Sequence, residues 1–223
     1  METANKGIIT IIRHGEALHN ITRDYAFPDP PLTEKGLSDA RQLSIDSTPD
    51  LIIVSPMTRT IQTATEAFGF LILSPDRKIK TQVWPELREA HDHICCKGSI
   101  KEEMMTKFPG FDFSDCHDEW DYPPHTTESA VARGEEVRRK LRGLAEMHKH
   151  IVLVTHRGFA AFLVPGKRFQ TCEVRKFRFA KNEELEERRY AVNVDTLERQ
   201  DFGPNLLLLL ESEEKVTQET VKT

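Results

Sequence analysis

Gly7-Ile8-Ile9-Thr10-Ile11-Ile12-Arg13-His14-Gly15-Glu16 is the stretch whose reading decides the fold. Its first six residues form a short apolar run rich in β-branched side chains. Such side chains pack well on a pleated, buried surface and lose rotamer freedom in a helix. A buried strand is therefore expected from Gly7 to Ile12, ending in a cation, an imidazole and a glycine. Leu51 to Val54 and Ile151 to Thr155 have the same character, and Thr81 to Trp84 reads as another strand.

Helical patterns separate these runs. One opens at Thr33, a good N-cap with Glu34 in its first turn, after the rigid loop Pro28 to Pro31. Others run from Met57 to Phe68 and, long and charged, from Glu128 to Lys149. Cys172 to Phe179 and Arg189 to Val194 are expected as later strands, and Leu206 to Leu210 as a packed strand or a partner-facing segment. Strands alternating with helices imply an α/β fold, with a mostly parallel central sheet and helices on both faces in a three-layer sandwich. The 223 residues suit one domain over 1–210, with an irregular insertion or lid at about 91–126 that holds a short helix near Lys101 to Lys107. The polar tail 211–223 is expected to be disordered.

Composition excludes several classes. With 38% apolar and 30% charged residues the chain is ordinary and globular, and a net charge of −5 argues against a general nucleic-acid binder. The longest apolar run, Leu206 to Leu210, is far shorter than the roughly 20 residues of a spanning helix, so no membrane partner is expected. Met1 to Lys6 shows no basic region leading into an apolar stretch, and a cytoplasmic protein is the expectation. Cys95, Cys96, Cys116 and Cys172 have no metal-type spacing and read as reduced, buried or half-buried thiols. A homodimer is left open.

In sheets of this kind, sites form beyond the carboxyl ends of the strands. Three expected strand ends carry chemistry there: Arg13-His14, Ser55 to Arg59, and His156. Guanidinium forks at Arg13 and Arg59 match the oxygens of a phosphoryl group. A neutral imidazole is a competent nucleophile toward phosphorus, with its second ring nitrogen holding a proton that fixes the tautomer. Gly15 lets backbone approach a ligand closely, and His156 could stabilise transferring charge.

Arg13-His14-Gly15-Glu16, followed by Asn20, resembles the signature of the histidine phosphatase superfamily, the phosphoglycerate-mutase-like proteins. Four more segments match in order: Pro31-Leu32-Thr33-Glu34-Lys35-Gly36, Ser55-Pro56-Met57-Thr58-Arg59-Thr60-Ile61-Gln62-Thr63-Ala64, Leu87-Arg88-Glu89 and Val154-Thr155-His156. The resemblance spans roughly residues 7 to 180. It implies a phosphoglycerate-mutase-like fold and a metal-independent phosphatase without organic cofactor, hydrolysing a small organic phosphate, either a phosphomonoester or a diphosphate. By the resemblance His14 is the phosphorylated nucleophile and Glu89 the proton donor; Arg13, Arg59 and His156 bind the phosphoryl group with Asn20 assisting. The acid-phosphatase branch is similar at Arg-His-Gly but carries His-Asp later, where this chain has His156-Arg157. Glycolytic mutases carry Asn-Glu-Arg-His-Tyr-Gly around the acid, where this chain has Leu87-Arg88-Glu89-Ala90-His91, so hydrolysis is favoured. Cys172-Glu173-Val174-Arg175 resembles a segment of fungal and plant broad-range members. A mutase-type phosphoryl transferase and a phosphatase-like domain with a binding role are the alternatives.

Blander readings exist. Glu86 competes with Glu89 for the acid, Asn20 could equally cap a turn, and Glu16 could orient the loop. His19, His91 and His93 lack helical ligand spacing, so a solvated role and no metal are expected. Arg138, Arg139 and Arg142 read as the polar face of the long helix. Two positions depart from the family pattern. Arg157 replaces a usual glycine and could add a phosphate ligand or crowd the pocket; Cys96 stands in a loop, Cys95 to Ser99, that often carries an acidic residue. With His14 neutral and the acid protonated, a bell-shaped pH profile is expected.

Overall fold

The computed structural model describes residues 7–22, 24–74, 79–121 and 125–210, so the expected polar tail at 211–223 lies outside the described residues. Among the described residues the strands are β1 (Ile8–Arg13), β2 (Leu51–Val54), β3 (Lys80–Val83), β4 (His150–Thr155), β5 (Val174–Phe179), β6 (Tyr190–Val192), β7 (Arg199–Asp201) and β8 (Leu207–Leu209). The α-helices among the described residues are α1 (Leu18–Ile21), α2 (Glu34–Arg41), α3 (Thr58–Leu73), α4 (Lys101–Lys107), α5 (Thr127–Leu144), α6 (Arg157–Leu163) and α7 (Asn182–Arg188). The main sheet has the order β3-β2-β4-β1-β5-β8. Its first four strands are parallel, β5 runs antiparallel to β1, and β8 runs antiparallel to β5.

Side chains alternate across a strand, and both faces of this sheet are covered. Ile9, Ile11, Leu51, Ile53, Ile151 and Leu153 pack with Val137, Leu141, Phe159 and Phe162 from α5 and α6. Their neighbours Ile12, Ile52, Val54, Val152 and Val154 pack on the other face with Ile61, Ala64 and Phe68 of α3. Each such aliphatic side chain contributes about 1.5–3 kcal/mol on burial, which is why these strands read as continuous apolar runs. The 91–126 segment joins the second layer: Met104, Phe111, Phe113, Cys116 and Trp120 are buried there. Among the described residues no helix is long and apolar enough to cross a membrane.

Several expectations shift. The helix opening after Met57 runs on to Leu73, and the long helix stops at Leu144, where a turn precedes β4. The expected strand at Arg189 to Val194 shrinks to β6, which pairs only with β7 in a separate ribbon. Leu206 to Leu210 supplies β8, an edge strand with Leu207 buried and Leu209 half-exposed. Arg138 does not belong to a solvated face. It is buried and donates to the carbonyls of Phe162 and Leu163 at the end of α6, because the cation serves carbonyls that a helix end leaves without partners.

The loop after β1 is locked to the start of α2. Thr33 Oγ1 accepts from Gly36 N at 3.0 Å and donates to Glu16 Oε1 at 2.8 Å. Glu16 thus orients the loop. Gly36 lies so close to that loop that a Cβ would stand 2.0 Å from Glu16 O, and a Cβ on Gly15 would stand 2.8 Å from Gly36 O. Replacing a helical glycine by alanine ordinarily stabilises by roughly 0.5–1 kcal/mol. Gly36→Ala is expected to do the reverse here and lower the urea midpoint; an increase would contradict the close approach.

Candidate active site

His14, Ser55 and His156 are the residues that immediately follow β1, β2 and β4, so they meet at one edge of the sheet. The sheet ladder extends to them: His14 N donates to Thr155 O and Ser55 N to Val154 O, both at 3.0 Å. The rings of His14 and His156 are 5.3 Å apart between centroids. Only 1% of His14 and none of His156 is exposed.

His14 Nδ1 lies 2.7 Å from the carbonyl oxygen of Gly15. A carbonyl only accepts, so Nδ1 carries the proton and the lone pair is on Nε2. Burial, then Arg59 and Arg13, hold the His14 imidazole well below the usual histidine range. His156 is depressed by burial and then Arg59. Its Nε2 lies 2.8 Å from Ser55 Oγ, while its buried Nδ1 has no partner among the described residues.

Two cations face this pair. Arg59 is fully buried in the first turn of α3 and spends Nη1 on Cys95 O at 3.2 Å. Its Nε and Nη2, the two-donor edge of the guanidinium, have no partner. Arg13 donates through Nη1 to Phe169 O at 3.0 Å and keeps Nε unpartnered. Burial and then Arg157 lower its pKa to about 10. Among the described residues neither arginine has a carboxylate within ion-pair distance. Buried cations without counter-charges are costly, and paired unsatisfied donors around an imidazole suit a tetrahedral oxyanion.

Glu89 is 7% exposed and held by backbone. Its Oε1 accepts from Ala90 N at 2.7 Å and Phe159 N at 2.8 Å, and Gly158 N lies 3.4 Å from Oε2. The contact is tight enough that a Cβ on Gly158 would stand 2.4 Å from Oε1. Glu86, the competing carboxylate, pairs instead with Lys140 on α5 at 2.5 Å.

The remaining expected residues are placed differently. Asn20 is exposed; its Oδ1 accepts from Ala17 N at 2.9 Å and caps α1, and its Nδ2 faces His19 Nε2 at 3.1 Å. Arg157 opens α6 with an exposed side chain, close enough to act electrostatically on Arg13 and His19. Lys97 forms a surface pair with Asp92 at 2.5 Å, and burial pushes the Cys96 thiol up. Cys172 sits with φ +56° beside the loop, its N 3.4 Å from His14 O.

Two of the histidines expected to be solvated are not. The ring of His19 is tilted at 47° to that of His14 with centroids 5.8 Å apart, and burial, Arg59 and Arg13 lower its pKa to about 3. His91 pairs with Asp195 at 2.5 Å, which raises it. Both lie on irregular or very short elements, where spacing gives no orientation. Thr63 was part of a recognised segment, but its work shows only in three dimensions: Oγ1 accepts from Gly15 N and donates to Arg59 O. Among the described residues no group of three or more His, Cys, Asp or Glu side chains is placed to hold a metal ion.

The family model described as histidine phosphatase superfamily (branch 1) matches residues 9–190. The Schizosaccharomyces pombe protein named “Probable phosphatase” is 33% identical over 130 residues, covering 54% of this chain and 59% of that protein. The chain therefore spans about three-fifths of that relative's length. A “Phosphoglycerate mutase-like protein” of Arabidopsis thaliana is 29% identical over 68% of this chain and 71% of its own. The crystal structure of the ecdysone phosphate phosphatase from “Bombix mori”, in complex with tungstate, has the same fold at 16% identity, with a TM-score of 0.57 over 78% of this chain and 89% of that one.

The depressed histidines couple stability to pH. Below about pH 6.5 the unfolded chain binds protons that folded His14 and His156 refuse. Stability is thus fully present above that pH and falls as it drops, by on the order of 1 kcal/mol per pH unit for each. His19 and His150 are depressed as well, so His91, raised, works in the opposite sense as one histidine against four. Urea midpoints should fall between pH 6.5 and 5.5, and a midpoint that rose on acidification would contradict the neutral pair.

Proposed function

The chain belongs to the histidine phosphatase superfamily (branch 1), and from that premise we propose that it hydrolyses a small organic phosphate, a phosphomonoester or a diphosphate, through a phosphohistidine at His14. The observation that carries the reading is the set of buried donors without partners around His14: Arg59 Nε and Nη2, Arg13 Nε and His156 Nδ1. In this reading these groups hold the phosphoryl oxygens, and Nε2 of His14 faces phosphorus. Asn20 holds the turn that borders them, with His19 beside it.

In the first step His14 Nε2 forms a bond to phosphorus while the bond from phosphorus to the leaving oxygen breaks. Glu89 gives its proton to that oxygen, and the leaving group departs as an alcohol. In the second step water attacks phosphorus, the phosphorus–nitrogen bond breaks, and the water proton goes to Glu89. Atoms and charges balance without a metal or an organic cofactor. The Gly15 carbonyl, accepting from Nδ1–H, supports the positive charge on the imidazole during both transfers. Oxyanion donors of this kind are worth about 10²–10³ in rate each, and a placed general acid about 10²–10⁴. The four free cysteines are in keeping with a reducing, cytoplasmic setting.

Isotopically labelled substrate, quenched in alkali, should leave label on His14, and His14→Ala should abolish release of phosphate from p-nitrophenyl phosphate with EDTA present. Turnover that survives His14→Ala would sink the assignment, and an isomerised product in place of free phosphate would favour the mutase alternative. Arg157, exposed at the mouth, adds charge for a second anionic group. Arg157→Gly should raise KM more for a bisphosphate than for a monophosphate, as steady-state kinetics would show.

A further inference from the structure

We infer that Arg133, on α5, is a positioning residue for the carboxyl group of Glu89, an inference that rests on the reading of Glu89 as the acid. Four consecutive carbonyls, those of residues 86 to 89, are each held from outside their own segment. Arg133 Nη1 donates to Glu86 O and Arg88 O, both at 2.8 Å, and Nη2 donates to Glu89 O at 3.2 Å. Leu87 O accepts from Thr155 Oγ1 at 2.9 Å, on the residue just before His156. The backbone of the acid is thereby tied to the strand that presents the second histidine.

The same guanidinium reaches the other end of the acid. It lies 4.6 Å over the ring of Phe159, and Phe159 N is one of the two short donors to Glu89 Oε1. One planar group thus fixes both the peptide that carries the carboxyl group and the turn that grips it. Arg133 is buried, and among the described residues no carboxylate lies within ion-pair distance of it. Burial, then Arg88, lowers its pKa to about 9. A buried cation whose two Nη groups go to main-chain carbonyls, with Nε left unpartnered among the described residues, is a costly way to hold a loop, unless the loop must sit within a fraction of an ångström. A general acid has that requirement, since misplacement by about 1 Å can cost about 10²-fold in rate. Lysine cannot replace the fork, because the three carbonyls are shared between two nitrogens of a rigid guanidinium, and an ammonium offers a single nitrogen on a flexible stem.

The tie between α5 and this segment does not depend on Arg133 alone. Lys140 pairs with Glu86 and lies 4.9 Å over the Trp84 ring. Arg133→Lys, which keeps the charge, and Arg133→Met are therefore both informative, with urea unfolding to report that each is folded. The discriminating measurement is kcat/KM, which covers the steps up to the phosphohistidine, for two substrates of different leaving group. p-Nitrophenolate departs without a proton, whereas an alkoxide needs one. For a folded variant, kcat/KM for an alkyl phosphate is expected to fall by about 10–100-fold, the range a displaced acid costs. For p-nitrophenyl phosphate the fall should be much smaller, and label should still be trapped on His14. Glu89→Gln should show the same leaving-group dependence more strongly. Equal losses on both substrates, or no loss on either, would overturn the positioning role. If Glu89→Gln shows no leaving-group dependence, the reading of Glu89 as acid fails first, and this inference with it.

Discussion

Parallel pairing of β1 with β4, in the register that sets Arg13 opposite Thr155, places His14 and His156 side by side beyond the sheet edge. Everything in the candidate site is referred to that pair. Ser55 joins it because β2 pairs with β4 and ends level with it. Thr155, the last residue of β4, holds Leu87 O and so brings in the segment of Glu89. A slip of one residue in the register would turn the alternating apolar side chains of the central strands to the wrong faces. Both hydrophobic layers oppose such a slip, and in doing so they hold the two imidazoles at their separation.

The cost of the arrangement is electrostatic. Arg13, Arg59, Arg133 and Arg138 are all buried, and the first two keep donor edges without partners. The last two donate to carbonyls of the segments they brace, although Arg133 Nε and Arg138 Nε and Nη2 have no partner among the described residues. Two uses of buried arginine therefore coexist: one pair flanks the two buried histidines, the other braces the protein's own backbone. Packing of the apolar layers offsets the desolvation of both.

Much of this is legible in the sequence. The β-branched runs mark β1, β2 and β4, and helix α2 shows its cap at Thr33. The residues at strand ends follow from the carboxyl-edge rule. What escapes reading has physical reasons. Helix α6, Arg-Gly-Phe-Ala-Ala-Phe-Leu, is buried from Gly158 to Leu163 and so lacks the polar stripe that signals a helix. Helix α7, Asn-Glu-Glu-Leu-Glu-Glu-Arg, is polar nearly all round. Arg138 looks like a solvated charge because nothing local reveals the carbonyls it meets, 24 and 25 residues away along the chain. His19 and Asn20 are neighbours whose roles depend on a four-residue helix and its cap.

The distances along the chain between site residues have a kinetic meaning. Thr10 and His150 are hydrogen-bonded across 140 residues, and Ser55 and His156 across 101. Closing loops of that length precedes any reward from the contacts they create, so chains built on such pairings fold slowly. No hairpin or isolated helix of this protein holds even two of the strand-end groups His14, Ser55 and His156 together. The constellation is complete only once β4 stands between β1 and β2, and without that strand none of its pairs remains.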